Sequence, residues 1–242
     1  HIETPCGLPL AMVSTPVKVI IEAQAEEEVN GTIEDVLPAG FRVLAAPSEV
    51  EVQGEKVKAK VELKPGEAYR LEYIAEPIAI GDYIAPGATL TAKGKPIAVS
   101  NSCGISVSDK PIVVRRELSA ERLREADELE IKVMVAYLGL PGSPVVNMLF
   151  ITVGLPPGFE VIPESLSQAI DATPQLERYE VHSPTRVDFL TGSIKPGTVF
   201  EFVIKARAKY PLKATVPPAK AQDYYNPDLS YMTAPTTVEV SG

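Results

Sequence analysis

The chain has 242 residues, with 23 Pro, 16 Gly, two His, two Cys and no Trp, and its 23 Lys+Arg against 32 Asp+Glu leave a net charge of −9. One histidine is residue 1, so histidine-centred catalysis and histidine metal sites are nearly excluded, and two cysteines cannot build a four-thiolate zinc site. An acidic surface repels phosphate backbones and anionic membranes, which argues against nucleic acid and lipid as partners, while 45% apolar residues are enough for a packed core.

In chain order, Val17–Ala23 opens as a strand. The run Glu26-Glu27-Glu28 reads as the solvated approach to a tight turn at Asn30-Gly31. After Leu37-Pro38-Ala39-Gly40-Phe41, residues 57–63 alternate cleanly with Lys and Glu on one face, and 69–75 alternate too. Between these two strands, Lys64-Pro65-Gly66-Glu67 reads as a hairpin turn, since Pro presets φ and Gly supplies a positive φ. One strand set closes at Ile105–Ser108, so the expected domains are 1–110 and 111–242. Ser119–Asp127 is rich in helix formers, and is expected to be a charged approach containing one turn of helix. Strands are predicted at 130–136, 147–153, 186–190 and 199–205, and Pro163–Ile170, with Pro then Glu at its start, as a short helix.

The chain repeats itself. Leu37–Phe41 recurs as Leu155-Pro156-Pro157-Gly158-Phe159, an offset of 118 residues. Lys64-Pro65-Gly66 recurs as Lys195-Pro196-Gly197, and Ala85-Pro86-Gly87-Ala88 as Val216-Pro217-Pro218-Ala219, both offset by 131 residues. The change of offset places a 13-residue insertion in the second half, where the predicted helix falls. Short strands ended by Pro or Gly, in two matching series, predict an all-β protein of two tandem immunoglobulin-like β-sandwiches, the second with a short helix.

Few residues point to chemistry. Asp223, Asn226 and Asp228 place three oxygen ligands in six residues, a candidate calcium loop, though Asn-Pro-Asp also favours a turn by itself. No other cofactor is expected. Cys6 and Cys103 are either two free thiols or one disulfide, which would stabilise by about 4–5 kcal/mol in the chain-entropy model. His182 precedes a strand with no identifiable orienting partner and reads as a surface residue. A Lys–Asn isopeptide bond would draw on Lys18, Lys132 and Asn147. The tyrosines read as core and rim packing. No run of 18 apolar residues occurs, so no membrane insertion is expected.

The second half resembles the C-terminal receptor-binding domain of the alpha-macroglobulin and complement thioester family. Leu129–Val133 with Asn147–Val153 looks like the first strand pair of that domain. Pro157-Gly158-Phe159 looks like its approach into a helix, and Pro218–Asp228, with Tyr224-Tyr225, is similar to a strand running through a Tyr-Tyr pair into an acidic loop. The first half resembles β-sandwich repeats of bacterial and archaeal surface proteins that carry a Leu-Pro-x-Gly-Phe phrase. Neither cysteine has the Gly-Glu-Gln context of the family's thioester, so none is expected here. The family's receptor-binding lysines fall on Pro163 and Ser167, so that recognition does not carry over.

The resemblance implies a non-enzymatic interaction or structural module, the C-terminal part of an exported, periplasmic or cell-surface protein. It would dock on other domains of a parent protein or on a protein partner, through Pro163, Glu164, Ser167 and Gln168 together with the Asp223–Asp228 loop. A chain beginning at His1 suggests a processed protein or a piece of a longer one. A surface spacer or adhesion repeat, and an accessory module of a secreted enzyme, are the alternatives.

Overall fold

The computed structural model describes residues 1–3, 9–139 and 142–242, which divide into two compact units, His1–Asp109 and Lys110–Gly242. Both are β-sandwiches. The first contains β1 (Ile2–Glu3), β2 (Leu10–Met12), β3 (Val17–Gln24), β4 (Val29–Val36), β5 (Phe41–Ala45), β6 (Glu51–Gln53), β7 (Lys56–Leu63), β8 (Ala68–Pro77), β9 (Gly81–Ala85), β10 (Thr89–Ala92), β11 (Lys95–Val99) and β12 (Cys103–Ser108). The second contains β13 (Ile112–Leu118), β14 (Arg122–Arg124), β15 (Glu128–Tyr137), β16 (Leu149–Gly154), β17 (Phe159–Val161), β18 (Leu176–Ser183), β19 (Arg186–Thr191), β20 (Val199–Ala208), β21 (Leu212–Val216), β22 (Lys220–Asp223), β23 (Ser230–Met232) and β24 (Thr236–Ser241). The one helix among the described residues, α1 (Pro163–Ala172), lies between β17 and β18.

The two units have one topology. Sheets β1-β3-β8-β5, β11-β10-β4-β7-β6 and β2-β12-β9 of the first recur as β13-β15-β20-β17, β23-β22-β16-β19-β18 and β14-β24-β21 of the second. Even the parallel pair β2–β12 has its equal in β14–β24. The repeat therefore extends to every strand, and α1 is the element the second unit adds.

The repeated phrases are matching turns. The N–H of Phe41 bonds to the Pro38 carbonyl, and that of Phe159 to Pro156, with Gly40 and Gly158 at positive φ. Both Phe rings are buried. Gly158, at φ 81°, holds a left-handed backbone that other residues adopt only with strain, and a Cβ there would also push aside Leu212 Cδ2, 2.4 Å away. In the two KPG turns, Glu67 N–H bonds to Lys64 O and Thr198 N–H to Lys195 O. These are not hairpins as expected: β7 and β8 lie in different sheets, as do β19 and β20, and each turn carries the chain from one layer to the other. The turn reverses direction, but the strands find better partners in β4 and β3.

Three other expectations change. Asn30-Gly31 lies inside β4, not in a turn. Gly31 is needed because β10 crosses so closely that a Cβ would meet Thr91 O at 2.4 Å. Ser119–Asp127 contains no helical turn, because buried Leu123 draws β14 into parallel pairing with β24. Leu129–Val133 and Asn147–Val153 do not pair, since β15 lies between β13 and β20 while β16 lies between β19 and β22.

Alternation explains the cores. On β15, Leu129, Ile131, Val133 and Val135 point inward, against Ile151, Val153, Val187 and Phe189 of the facing sheet. On β7, Val57, Ala59, Val61 and Leu63 do the same for the first unit, while the Lys and Glu between them face outward. Among the described residues, no helix is long and apolar enough to cross a membrane.

Candidate functional site

α1 closes the second sandwich between β18 and β20. Leu166 and Ala169 are buried, and Ile170 packs partly against the core, a stripe at i, i+3 and i+4. Pro163 starts the helix where a missing N–H costs nothing. Ser165 then secures it: its buried hydroxyl donates to Ile162 O (2.7 Å) and accepts the Lys205 N–H (2.9 Å). Ile162 N–H meanwhile bonds to Lys205 O, so β20 is closed where β17 ends. Ser165→Ala would strand a backbone donor of β20, and the expected loss of stability is about 1–3 kcal/mol, read by urea unfolding.

Pro163, Glu164, Ser167 and Gln168 are all exposed, on the face away from the core. The helix carries Glu164 and Asp171 and no Lys or Arg. Edge strand β18 runs beside it with Glu177, Arg178, Glu180 and Val181 exposed, and its register with β19 is broken by two bulge-like shifts. Such irregularity blunts an edge against indiscriminate pairing.

The Asp223–Asp228 loop joins β22 to β23, at the other edge of the same sheet. It stands about 15–20 Å from β18 at ordinary strand spacing, so helix face and loop are two patches rather than one. Asp223 Oδ1 accepts the N–H groups of Tyr225 (2.9 Å) and Asn226 (3.3 Å), which is a turn made by the side chain. Tyr224 and Tyr225 are exposed and meet edge to face at 5.2 Å, with Phe150 6.5 Å from Tyr224. Among the described residues, no three His, Cys, Asp or Glu side chains cluster as a metal site would need.

His182 does have an orienting partner, which the sequence did not reveal. Asp188, fully buried on β19, lies with Oδ2 2.9 Å from His182 Nε2 and 2.8 Å from Arg186 Nη2. Its Oδ1 accepts from Thr152 Oγ1 (2.6 Å) and Arg186 Nε (3.0 Å). Glu180 Oε2 stands 3.4 Å from the same ring nitrogen. The Thr152 hydroxyl is used as a donor to the carboxylate and is not held by the imidazole, so the group ties β18, β19 and β16 together rather than activating a nucleophile. The available signal was an acid inside the apolar run Val187-Asp188-Phe189-Leu190.

Lys18 and Lys132 are partly exposed and ion-paired with Glu72 and Glu201, and Asn147 is exposed, so the buried lysine of an isopeptide bond is missing there. Cys103 is half-buried at the start of β12, and Cys6 lies outside the described residues.

The family model of the A-macroglobulin receptor binding domain matches residues 144–235, from the approach to β16 through α1 to β23. It starts after β15, so it is narrower than the likeness over 111–242 read from the residues. No curated protein matches the chain. Among solved structures, native alpha-2-macroglobulin from Escherichia coli, from domain MG7 to the C-terminus, is similar at 13% identity and TM-score 0.45, covering 87% of this chain and 33% of that one. Salmonella alpha-2-macroglobulin reacted with methylamine is similar at 12% identity and TM-score 0.45, covering 87% and 13%. Trypsin-activated alpha-2-macroglobulin from Escherichia coli is similar at 13% identity and TM-score 0.45, covering 88% and 15%. The chain thus spans a third or less of the length of these proteins.

Proposed function

We propose that this chain is a non-enzymatic protein-interaction module, part of a larger exported or surface protein of alpha-macroglobulin type. The observation that carries this reading is the family match over residues 144–235, which contains α1 and the whole sheet beside it. The docking face is the outward side of α1, at Pro163, Glu164, Ser167 and Gln168, flanked by the exposed part of β18. Its charge is acidic where the family's receptor-binding helix presents lysines, so the partner is another domain of the parent protein and not a lysine-reading receptor. A photo-crosslinking residue at Ser167 of the parent protein is expected to join peptides from its other domains, while one at exposed Lys213 is not. Absence of such a product from Ser167, or equal products from both positions, would overturn this reading.

The loop after β22 serves here as a turn. The melting temperature is therefore expected to be the same in calcium and in chelator, and a rise with calcium would show Asp223, Asn226 and Asp228 taking up a cation. The strand-for-strand duplication favours a second reading, a surface spacer built from repeats. Further copies of the Leu-Pro-x-Gly-Phe and Lys-Pro-Gly series in the parent gene would support it.

A further inference from the structure

Asn30 has no structural reason to be asparagine. The dipeptide Asn30-Gly31 makes no turn, and Gly31 is accounted for by the close crossing of β10. Asparagine is depleted from strands, yet Asn30 sits on β4. Its side-chain amide makes no hydrogen bond among the described residues. What Asn30 does have is a neighbour of a particular kind. It opens the triplet Asn30-Gly31-Thr32, the acceptor pattern for an N-linked sugar. None of the other asparagines has this pattern: two residues on, Asn101 is followed by Cys103, Asn147 by Leu149 and Asn226 by Asp228.

The triplet alone is a weak signal, and its place in the fold strengthens it. Ile33 and Asp35 are buried, so the alternate positions Asn30, Thr32 and Glu34 lie on the outward face of β4. Asn30 is exposed. β10 pairs with β4 only as far as Ala92↔Gly31, and the chain then turns at Lys93-Gly94 into β11. Asn30 therefore has a paired cross-strand neighbour on one side alone, exposed Glu62 of β7.

The twin unit shows what a covered station looks like. The β4–β7 and β16–β19 registers equate Asn30 with Met148 and Thr32 with Phe150. There the longer 224–229 connection folds over the sheet: Tyr224 N–H bonds to Met148 O, and the Tyr224 ring lies 6.5 Å from Phe150. The first unit has the two-residue turn Lys93-Gly94 at this point, and polar residues where its twin has apolar ones. The outward end of β4 thus has room for a bulky group.

We propose that Asn30 carries an N-linked glycan, added before β4 takes its place in the sheet. The bond formed joins Asn30 Nδ2 to the anomeric carbon of an oligosaccharide. The bond broken joins that carbon to the phosphate oxygen of a lipid carrier, which leaves with the electron pair. Nδ2 gives up one proton, and nothing is oxidised or reduced. From Gly31 onwards β4 is hydrogen-bonded on both sides, so a transferase that reads the Thr32 hydroxyl must meet the chain while it is still unfolded. The sugar then stands on the outward face of the β11-β10-β4-β7-β6 sheet and keeps that face in water. The proposal rests on the exported location argued above, since lipid-carried sugars are transferred to chains that leave the cytoplasm.

The test is mass spectrometry of the parent protein purified from its own cells, with cell fractionation of the same culture. Trypsin cuts after Lys18 and Arg42 and releases residues 19–42, in which Asn30 is the single asparagine. This peptide is expected at a mass raised by whole sugar residues, with fragmentation placing the addition on Asn30. Thr32→Ser should keep the added mass, while Thr32→Ala and Asn30→Gln should each lose it. Both side chains lie on the outward face, so these variants should fold as the natural chain does. A bare peptide from protein found outside the cytoplasm would overturn the glycan and leave the exported reading standing. A bare peptide from protein held in the cytoplasm would overturn both. Added mass that survives Thr32→Ala, or that sits on another residue of the peptide, would also overturn the proposal.

Discussion

Phe189→Ala is expected to destabilise the C-terminal unit by about 3–5 kcal/mol, the range for truncating a large buried aromatic. The ring is fully buried, 4.7 Å from Phe202 and 6.2 Å from Tyr179, and it faces the β15 side chains across the sandwich. The packed residues around it sit on paired strands of two sheets, so the space left cannot collapse without moving backbone. The twin unit shows what a small residue there requires. The register equates Phe189 with Ala59 and Phe202 with Leu71, so that core is built around different volumes. Urea unfolding followed by circular dichroism should show one transition moving to lower urea and the other unchanged. A shift worth less than about 1 kcal/mol would mean that the facing layers close over the gap.

Tyr73→Ile is expected to cost the N-terminal unit about 3–5 kcal/mol, because it leaves a buried carboxylate without its donor. The Tyr73 hydroxyl donates to Asp35 Oδ2 at 2.5 Å, and both residues are buried. Burial foremost, and then the neighbouring carboxylate, push the phenol far above its ordinary pKa, so it remains a donor. In the twin unit these stations hold Val153 and Ile204, both fully buried. Adding Asp35→Val to Tyr73→Ile should therefore restore at least half of the loss. A double-mutant cycle on the unfolding free energies measures this coupling directly. Additive losses would show that the two side chains act independently.

The polar pair at Asp35 and Tyr73 is a contact that local sequence pattern does not encode. Alternation of period two identifies an inward position, but it cannot say that an inward acid on β4 meets a tyrosine on β8, 38 residues away. The same holds for Asp188. An acid in an apolar run signals a partner, and the partners His182, Arg186 and Thr152 come from three strands whose order in the sheet is a tertiary fact. Helix α1 was legible because its signals are local: Pro at the first position, an acid beside it, and apolar residues at helical spacing. The turn assigned to Asn30-Gly31 failed for the opposite reason. Glycine there answers to the close approach of β10, which no local pattern encodes.

The sequence by itself determined the class of this protein and its duplication, because strand alternation and Pro-Gly turns are set by residues close in the chain. It also determined where the second unit exceeds the first, since an offset change counts inserted residues. Only the tertiary structure decided which strands share a sheet, as hydrogen-bond partners are chosen among edges brought together by the whole core. Only the structure separated the α1 face from the Asp223 loop, placing them at opposite edges of one sheet.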